Sequence, residues 1–145
     1  GNTVTFSYIG KDGVPQVKTA TFPATYVTRL KSGLNKLKSK DFVFGHKGRP
    51  LPEREFKKAF LGYCGHEFYP HIVRSHYATS KVEQFLKGKK RVSKEEATSL
   101  YLGIASALGH KKFSKKKGVW EESYTVTIGH YIQPSLVEKV SRLVK

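Results

Sequence analysis

Apolar and small polar residues alternate over residues 3–9 (Thr-Val-Thr-Phe-Ser-Tyr-Ile), the two-residue period of a half-buried strand. Gly10-Lys11-Asp12-Gly13 is a turn signal, and residues 17–22 read as the returning strand, which puts Lys11 at or near a hairpin tip. From Ala24 to Leu37 the period lengthens, with Tyr26, Val27, Leu30, Leu34 and Leu37 at roughly helical spacing. Residues 41–44 are a short extended piece leading into a basic loop, Gly45-His46-Lys47-Gly48-Arg49-Pro50. Pro52 suits the first turn of a helix that runs to about Tyr63, with Phe56, Ala59, Phe60 and Tyr63 on one apolar face. A second strong helix is expected from about His71 to Lys87, burying Val73, Tyr77, Val82, Phe85 and Leu86. Ser93-Lys94-Glu95-Glu96 is a capping-box signature. It opens a helix with Ala97, Leu100, Tyr101, Ile104 and Leu108 inside, stopped by Gly109. Residues 111–118 read as a flexible, strongly basic loop. Alternation returns from Glu122 to Ile128 and predicts a short strand, and Pro134 to Val144 forms a last amphipathic helix.

The pattern predicts an α+β architecture, mainly helical, with a small antiparallel hairpin at the front. It reads as a single domain over 1–145: hairpin 3–22, helical core 24–110, basic loop 111–118, and a C-terminal segment with its helix over 122–145. Charge sharpens this picture. Among 145 residues, 27 Lys+Arg stand against 11 Asp+Glu, a formal net charge of +16. An excess of that size implies a polyanionic partner, with nucleic acid the default. Cys64 is the only cysteine, so neither an intrachain disulfide nor a cysteine zinc cluster can form, and it is expected as a small buried hydrophobe. No apolar run is long enough to span a membrane, and an intracellular protein is expected.

Within Tyr69–Thr79 the chain sets His71, Arg74 and His76 close together. Residues three apart share a helix face, so His71 and Arg74 can reach one anion. A guanidinium inside an apolar helix needs an anion: two phosphate oxygens, or an internal partner such as Glu67 or Glu83. His110, at a helix end, can donate to a phosphate oxygen or interact with the helix dipole. Lys11 in a tight turn can act as a general acid towards a leaving alkoxide, or be a solvated turn lysine. Tyr124 and Tyr131 are candidate nucleophiles; a phenol needs cationic neighbours for that role. Tyr131 stands just before the last helix, free to project, whereas Tyr124 lies in the alternating stretch.

Taken in order, these pieces resemble the catalytic domain shared by type IB DNA topoisomerases and tyrosine recombinases. Phe6-Ser7-Tyr8-Ile9-Gly10-Lys11-Asp12-Gly13 is similar to the topoisomerase hairpin that carries the general-acid lysine. His71-Ile72-Val73-Arg74-Ser75-His76-Tyr77-Ala78-Thr79 resembles the recombinase box His-x-x-Arg-His-x-x-Ala-Thr, with Ser75 inserted. Topoisomerases usually have Lys where His71 stands. Ala107-Leu108-Gly109-His110 resembles the Leu-Gly-His box before the nucleophile, and Tyr131-Ile132-Gln133-Pro134 resembles the topoisomerase end Tyr-Ile-His-Pro. The likeness runs from Val4 to Val144.

The resemblance implies DNA strand cleavage and religation through a 3′-phosphotyrosyl link, relaxing supercoils without ATP, metal or cofactor. Tyr131 would be the nucleophile, Arg74, His110 and His71 the phosphate stabilisers, and Lys11 the acid. Lys47, Arg49, Lys111, Lys112, Lys115, Lys116 and Lys117 would bind flanking phosphates of double-stranded DNA. The wide spacing between His110 and Tyr131 keeps Tyr124 as an alternative nucleophile and Trp120 as an alternative to His110. Both families also use an arginine upstream of the lysine hairpin, which this chain lacks. The chain is therefore expected to be the C-terminal part of a longer enzyme and inactive or impaired alone. A site-specific recombinase or telomere resolvase is the alternative activity, with homo-oligomers expected only for a recombinase. A noncatalytic DNA-binding module is the reading from another class.

Overall fold

The computed structural model describes residues 1–145 as a mainly helical α+β protein with six α-helices and three two-stranded antiparallel sheets. In chain order the elements are β1 (Thr3–Ile9), β2 (Pro15–Thr21), α1 (Ala24–Leu34), β3 (Gly45–His46), β4 (Arg49–Pro50), α2 (Glu53–Cys64), α3 (Pro70–Leu86), α4 (Lys94–Leu108), β5 (Lys111–Ser114), β6 (Val119–Glu122), α5 (Thr125–His130) and α6 (Pro134–Leu143). They divide into two compact units. The first comprises Gly1–Ile9 and Pro15–Tyr69, the second Gly10–Val14 and Pro70–Lys145. The turn that carries Lys11 thus groups with the C-terminal residues.

In the first unit β1 and β2 pair from Thr3 opposite Thr21 to Ile9 opposite Pro15, so the returning strand begins two residues before the expected Val17. Phe6 meets Phe22 edge-on, and Phe22 stacks on Tyr26 of α1. The expected basic loop at 45–50 is a tight hairpin, β3–β4, with the two-residue turn Lys47-Gly48 at positive φ. Two consecutive left-handed residues give the turn twist that matches paired strands, and glycine takes one of them without a Cβ clash. α2 begins after Pro52 as expected, but it buries no residue. Phe56 and Phe60 lie against each other, while Tyr63 is 92 % exposed. Cys64 is exposed, not buried, because it closes a helix that has no covered face.

The second unit holds the core. α3, α4 and α6 enclose Ala78, Val82, Leu86, Ala97, Tyr101, Ile104, Leu108 and Val140, joined by Val92 and Ile132. Burial of this kind stabilises by about 25 cal/mol per Å² of apolar surface. Along α3 the inward stripe is Ala78, Val82 and Leu86, spaced four apart, so Val73 and Tyr77 lie beside it and stay partly exposed instead of buried as expected. Stepping back four residues from Ala78 reaches Arg74, which continues the inward stripe at the helix's first turns. α4 starts with a complete capping box: the Ser93 side chain accepts from the Glu96 N–H, and the Glu96 carboxylate accepts from the Ser93 N–H. Such a cap is worth about 1 kcal/mol. A parallel bridge between Val92 and Val144 ties the start of α4 to the end of α6.

Two expectations between His110 and Tyr131 are corrected. The lysine-rich stretch is a regular hairpin, β5–β6, in which Phe113 opposite Trp120 makes an edge-on aromatic pair. That cross-strand contact gives the ribbon order despite its charge. The stretch expected as a strand over 122–128 ends its extended part at Glu122, and Thr125–His130 is the short helix α5. Its β-branched residues favour a strand locally, but burial of Thr127 and packing of Ile128 against the core select the helical turn.

Candidate active site

Three side chains of the second unit, two from α3 and one from the end of α4, meet around one phenol ring. α4 ends on Gly109 in the left-handed conformation (φ 75°), with His110 N–H bonded to Ala105 O at 2.8 Å and Gly109 N–H to Ser106 O at 3.1 Å. This Schellman arrangement reverses the chain at a residue without a Cβ and turns His110 back beside the helix end. The Leu108 carbonyl is one of the acceptors a helix terminus leaves over. Arg74 fills that role from α3, its Nη2 donating to Leu108 O at 2.7 Å. The same nitrogen lies 3.1 Å from His110 Nε2. The guanidinium is half-buried, makes no ion pair with Glu67, Glu83 or any other carboxylate, and carries its positive charge unneutralised.

Tyr131 follows α5 and precedes α6. Ile132 beside it is buried in the core, and Pro134 opens the last helix, so the segment is anchored on both sides of a half-buried tyrosine. The tyrosine ring lies 4.5 Å from the His71 ring and 4.5 Å from the His110 ring, centroid to centroid. The Arg74 guanidinium carbon is 5.3 Å from the same ring centroid, within cation–π range. His71, Arg74, His110 and Tyr131 thus form one cluster. A guanidinium that no carboxylate neutralises can receive a bound anion.

Tyr124, the alternative nucleophile, sits apart from the cluster. Its ring is 5.7 Å from Tyr101 and packs on the core. Burial pushes the Tyr101 phenol above its ordinary value, with a smaller electrostatic contribution from Tyr124, which marks the pair as an apolar environment. Trp120 packs on Phe113 in the β5–β6 ribbon, while His110 occupies the position beside Arg74. Lys11 is exposed in a single 3-10 turn, Lys11–Gly13, whose Asp12 has a left-handed backbone (φ 60°).

The expected phosphate-binding residues fall in both units. Lys47 and Arg49 are exposed on the β3–β4 hairpin. On the ribbon, Lys111 stands opposite Glu122 and Lys112 opposite Glu121, and Lys117 pairs with Glu121 at 2.8 Å. Lys115 and Lys116 at the turn are exposed without an ion pair and are the strongest free charge there. No group of three or more His, Cys, Asp or Glu side chains is arranged to hold a metal ion. No helix is long and apolar enough to cross a membrane.

Sequence reading gives no role to two threonines, Thr79 at the end of the His71–Thr79 segment and Thr127. The Thr79 hydroxyl bridges the backbone around the tyrosine, reaching Tyr131 O at 3.5 Å and accepting from Gln133 N–H at 3.4 Å. Thr127 has no solvent exposure, and its hydroxyl lies 2.8 Å from His110 Nδ1. No protein-family model matches the chain, and no curated protein matches it.

Proposed function

We propose that this chain carries the cleavage–religation chemistry of a type IB topoisomerase-like enzyme acting on double-stranded DNA. The observation that carries the proposal is the convergence of His71, Arg74 and His110 on the Tyr131 ring. The Tyr131 oxygen attacks a backbone phosphorus; the O–P bond forms as the bond to the 5′ oxygen breaks, leaving a 3′-phosphotyrosyl link. Arg74 and His110 stabilise the charge on the nonbridging oxygens, and His71 adds a further donor. Lys11 gives its proton to the departing 5′ oxygen, while the phenol proton passes to water. The bond energy stays in the phosphotyrosine, so the reverse attack reseals the strand without ATP. The net charge of +16 and the exposed Lys115 and Lys116 suit a phosphate backbone read without sequence choice.

A histidine rather than a lysine at position 71 favours a second reading, a tyrosine recombinase that uses the same covalent step. Plasmid relaxation by a monomer without ATP supports the topoisomerase; strand exchange between paired sites supports the recombinase. The shared step is tested by incubating the full-length protein with a nicked suicide DNA. A covalent adduct is expected in the native protein and in Tyr124→Phe, and none in Tyr131→Phe. Binding of DNA without any adduct leaves a noncatalytic DNA-binding module as the better account.

A further inference from the structure

We propose that Thr127 is a positioning residue that fixes the tautomer of His110 and ties that histidine to the backbone of the nucleophile; this rests on the reading of Tyr131 and His110 given above. Thr127 is the one polar member of the largest fully enclosed side chains, beside Val82 and Val140. A hydroxyl without access to water must find its partner inside the protein. That partner is His110 Nδ1 at 2.8 Å. On the other side of the ring, Nε2 lies 3.1 Å from Arg74 Nη2. A guanidinium nitrogen can only donate, so Nε2 accepts. The neutral imidazole therefore carries its proton on Nδ1 and donates it to Thr127 Oγ1. The hydrogen bond at one ring nitrogen sets the state of the other.

The consequence reaches the reaction. Once a bound phosphate draws Arg74 Nη2 onto itself, Nε2 is the ring position that can take up a proton and offer it to a phosphate oxygen, with Nδ1–H still held by Thr127. The imidazole then donates from both nitrogens without turning over. Thr127 acts on the nucleophile too: its carbonyl accepts the Tyr131 N–H at 3.0 Å, closing the last turn of α5. One residue thus holds the histidine through its side chain and the tyrosine through its backbone. Losing the hydroxyl lets the ring adopt the Nε2–H form, which would point a hydrogen at Arg74, or rotate away from it.

Two readouts separate this role from simple packing. In long-range ¹H–¹⁵N spectra at a pH where His110 is neutral, the native protein is expected to show the Nδ1–H tautomer at His110. Thr127→Ser keeps that pattern, and the near-isosteric Thr127→Val shifts it towards Nε2–H or a mixture. In the suicide-substrate assay Thr127→Val is expected to lose about ten- to a hundredfold in adduct formation, a loss of the size seen when the hydrogen-bond partner of a metal-bound histidine is removed, with DNA affinity unchanged. Thr127→Ser recovers most of the loss. An Nε2–H tautomer in the native protein overturns the proposal, and that measurement needs no variant to fold. A native tautomer retained in Thr127→Val with native adduct formation overturns it as well. If the native protein forms no adduct, the functional reading fails while the spectra still decide whether Thr127 sets the tautomer.

Discussion

The two units are built from similar residue types, yet they place them differently. Val27 is the one buried apolar side chain of the first unit, whereas α3, α4 and α6 of the second enclose a continuous core. The first unit leaves Phe42, Phe44 and Tyr63 at half exposure or more and joins its rings in pairs, Phe6 edge-on to Phe22 and Phe22 stacked on Tyr26. Such ring pairs are worth about 0.5–1.5 kcal/mol each but do not exclude water. In the second unit packed neighbours hold the Tyr131 segment and the helix end beneath His110. Chemistry that depends on ångström placement needs side chains locked by packing, and only the second unit supplies that. Basic residues occur in both, so charge alone does not locate the site.

The largest effect expected from this contrast is on the proposed covalent step. Arg74→Ala should slow adduct formation by about 10²- to 10³-fold, the usual cost of removing a donor to developing charge. Arg49→Ala in the first unit should leave the rate at saturating DNA unchanged and weaken binding, lowering the salt dependence of affinity by about 0.9 per lost phosphate contact. Single-turnover cleavage and binding titrations at several salt concentrations separate the two; equal rate losses would break the contrast.

Stability gives the next test. Val82→Ala removes two methyl groups from a fully enclosed site and should cost about 2–3 kcal/mol. Tyr63→Ser removes a much larger side chain, 92 % exposed, and should change stability by no more than about 0.5 kcal/mol. Urea titration followed by circular dichroism measures both. A large loss in Tyr63→Ser would mean that α2 has a covered face after all.

The smallest effect concerns pH. Hydrogen bonding from Lys89, and then from the Ser93 backbone, holds the Glu96 carboxyl below its ordinary value. A depressed folded value stabilises the protein above the ordinary carboxylate value, and this contribution disappears as pH falls through the folded one. Amide protection at the start of α4, corrected for the intrinsic exchange rate at each pH, should therefore fall in acid, below about pH 4.5, and Glu96→Gln should flatten that dependence.

Much of this was legible in the chain. The apolar spacing of α3, α4 and α6, the Ser93 capping box and the Gly109 stop are local signals, and the elements begin and end within a residue or two of them. His71, Arg74, His110 and Tyr131 were selected by residue type and order, and they meet in space. What the chain concealed depends on distant partners. The Thr-Val-Thr-Ile run of α5 alternates like a strand, and only its fit against the core makes it a helix. The lysine run hid a ribbon whose organising pair, Phe113 and Trp120, lies on either side of it. Val73 and Tyr77 fit a helical apolar pattern, but the neighbouring helices cover the adjacent stripe. Thr127 and Thr79 carry no signal by residue type, since their partners lie 17 and 52 residues away.

The proposed chemistry requires that Tyr131, and no other side chain, bonds to the DNA. Trapping the adduct on a suicide substrate, digesting protein and DNA, and sequencing the modified peptide by mass spectrometry tests it most directly. A nucleoside 3′-phosphate is expected on Tyr131, in the peptide around Ile132-Gln133-Pro134. The same modification on Tyr124, or a link through the 5′-phosphate, would contradict it.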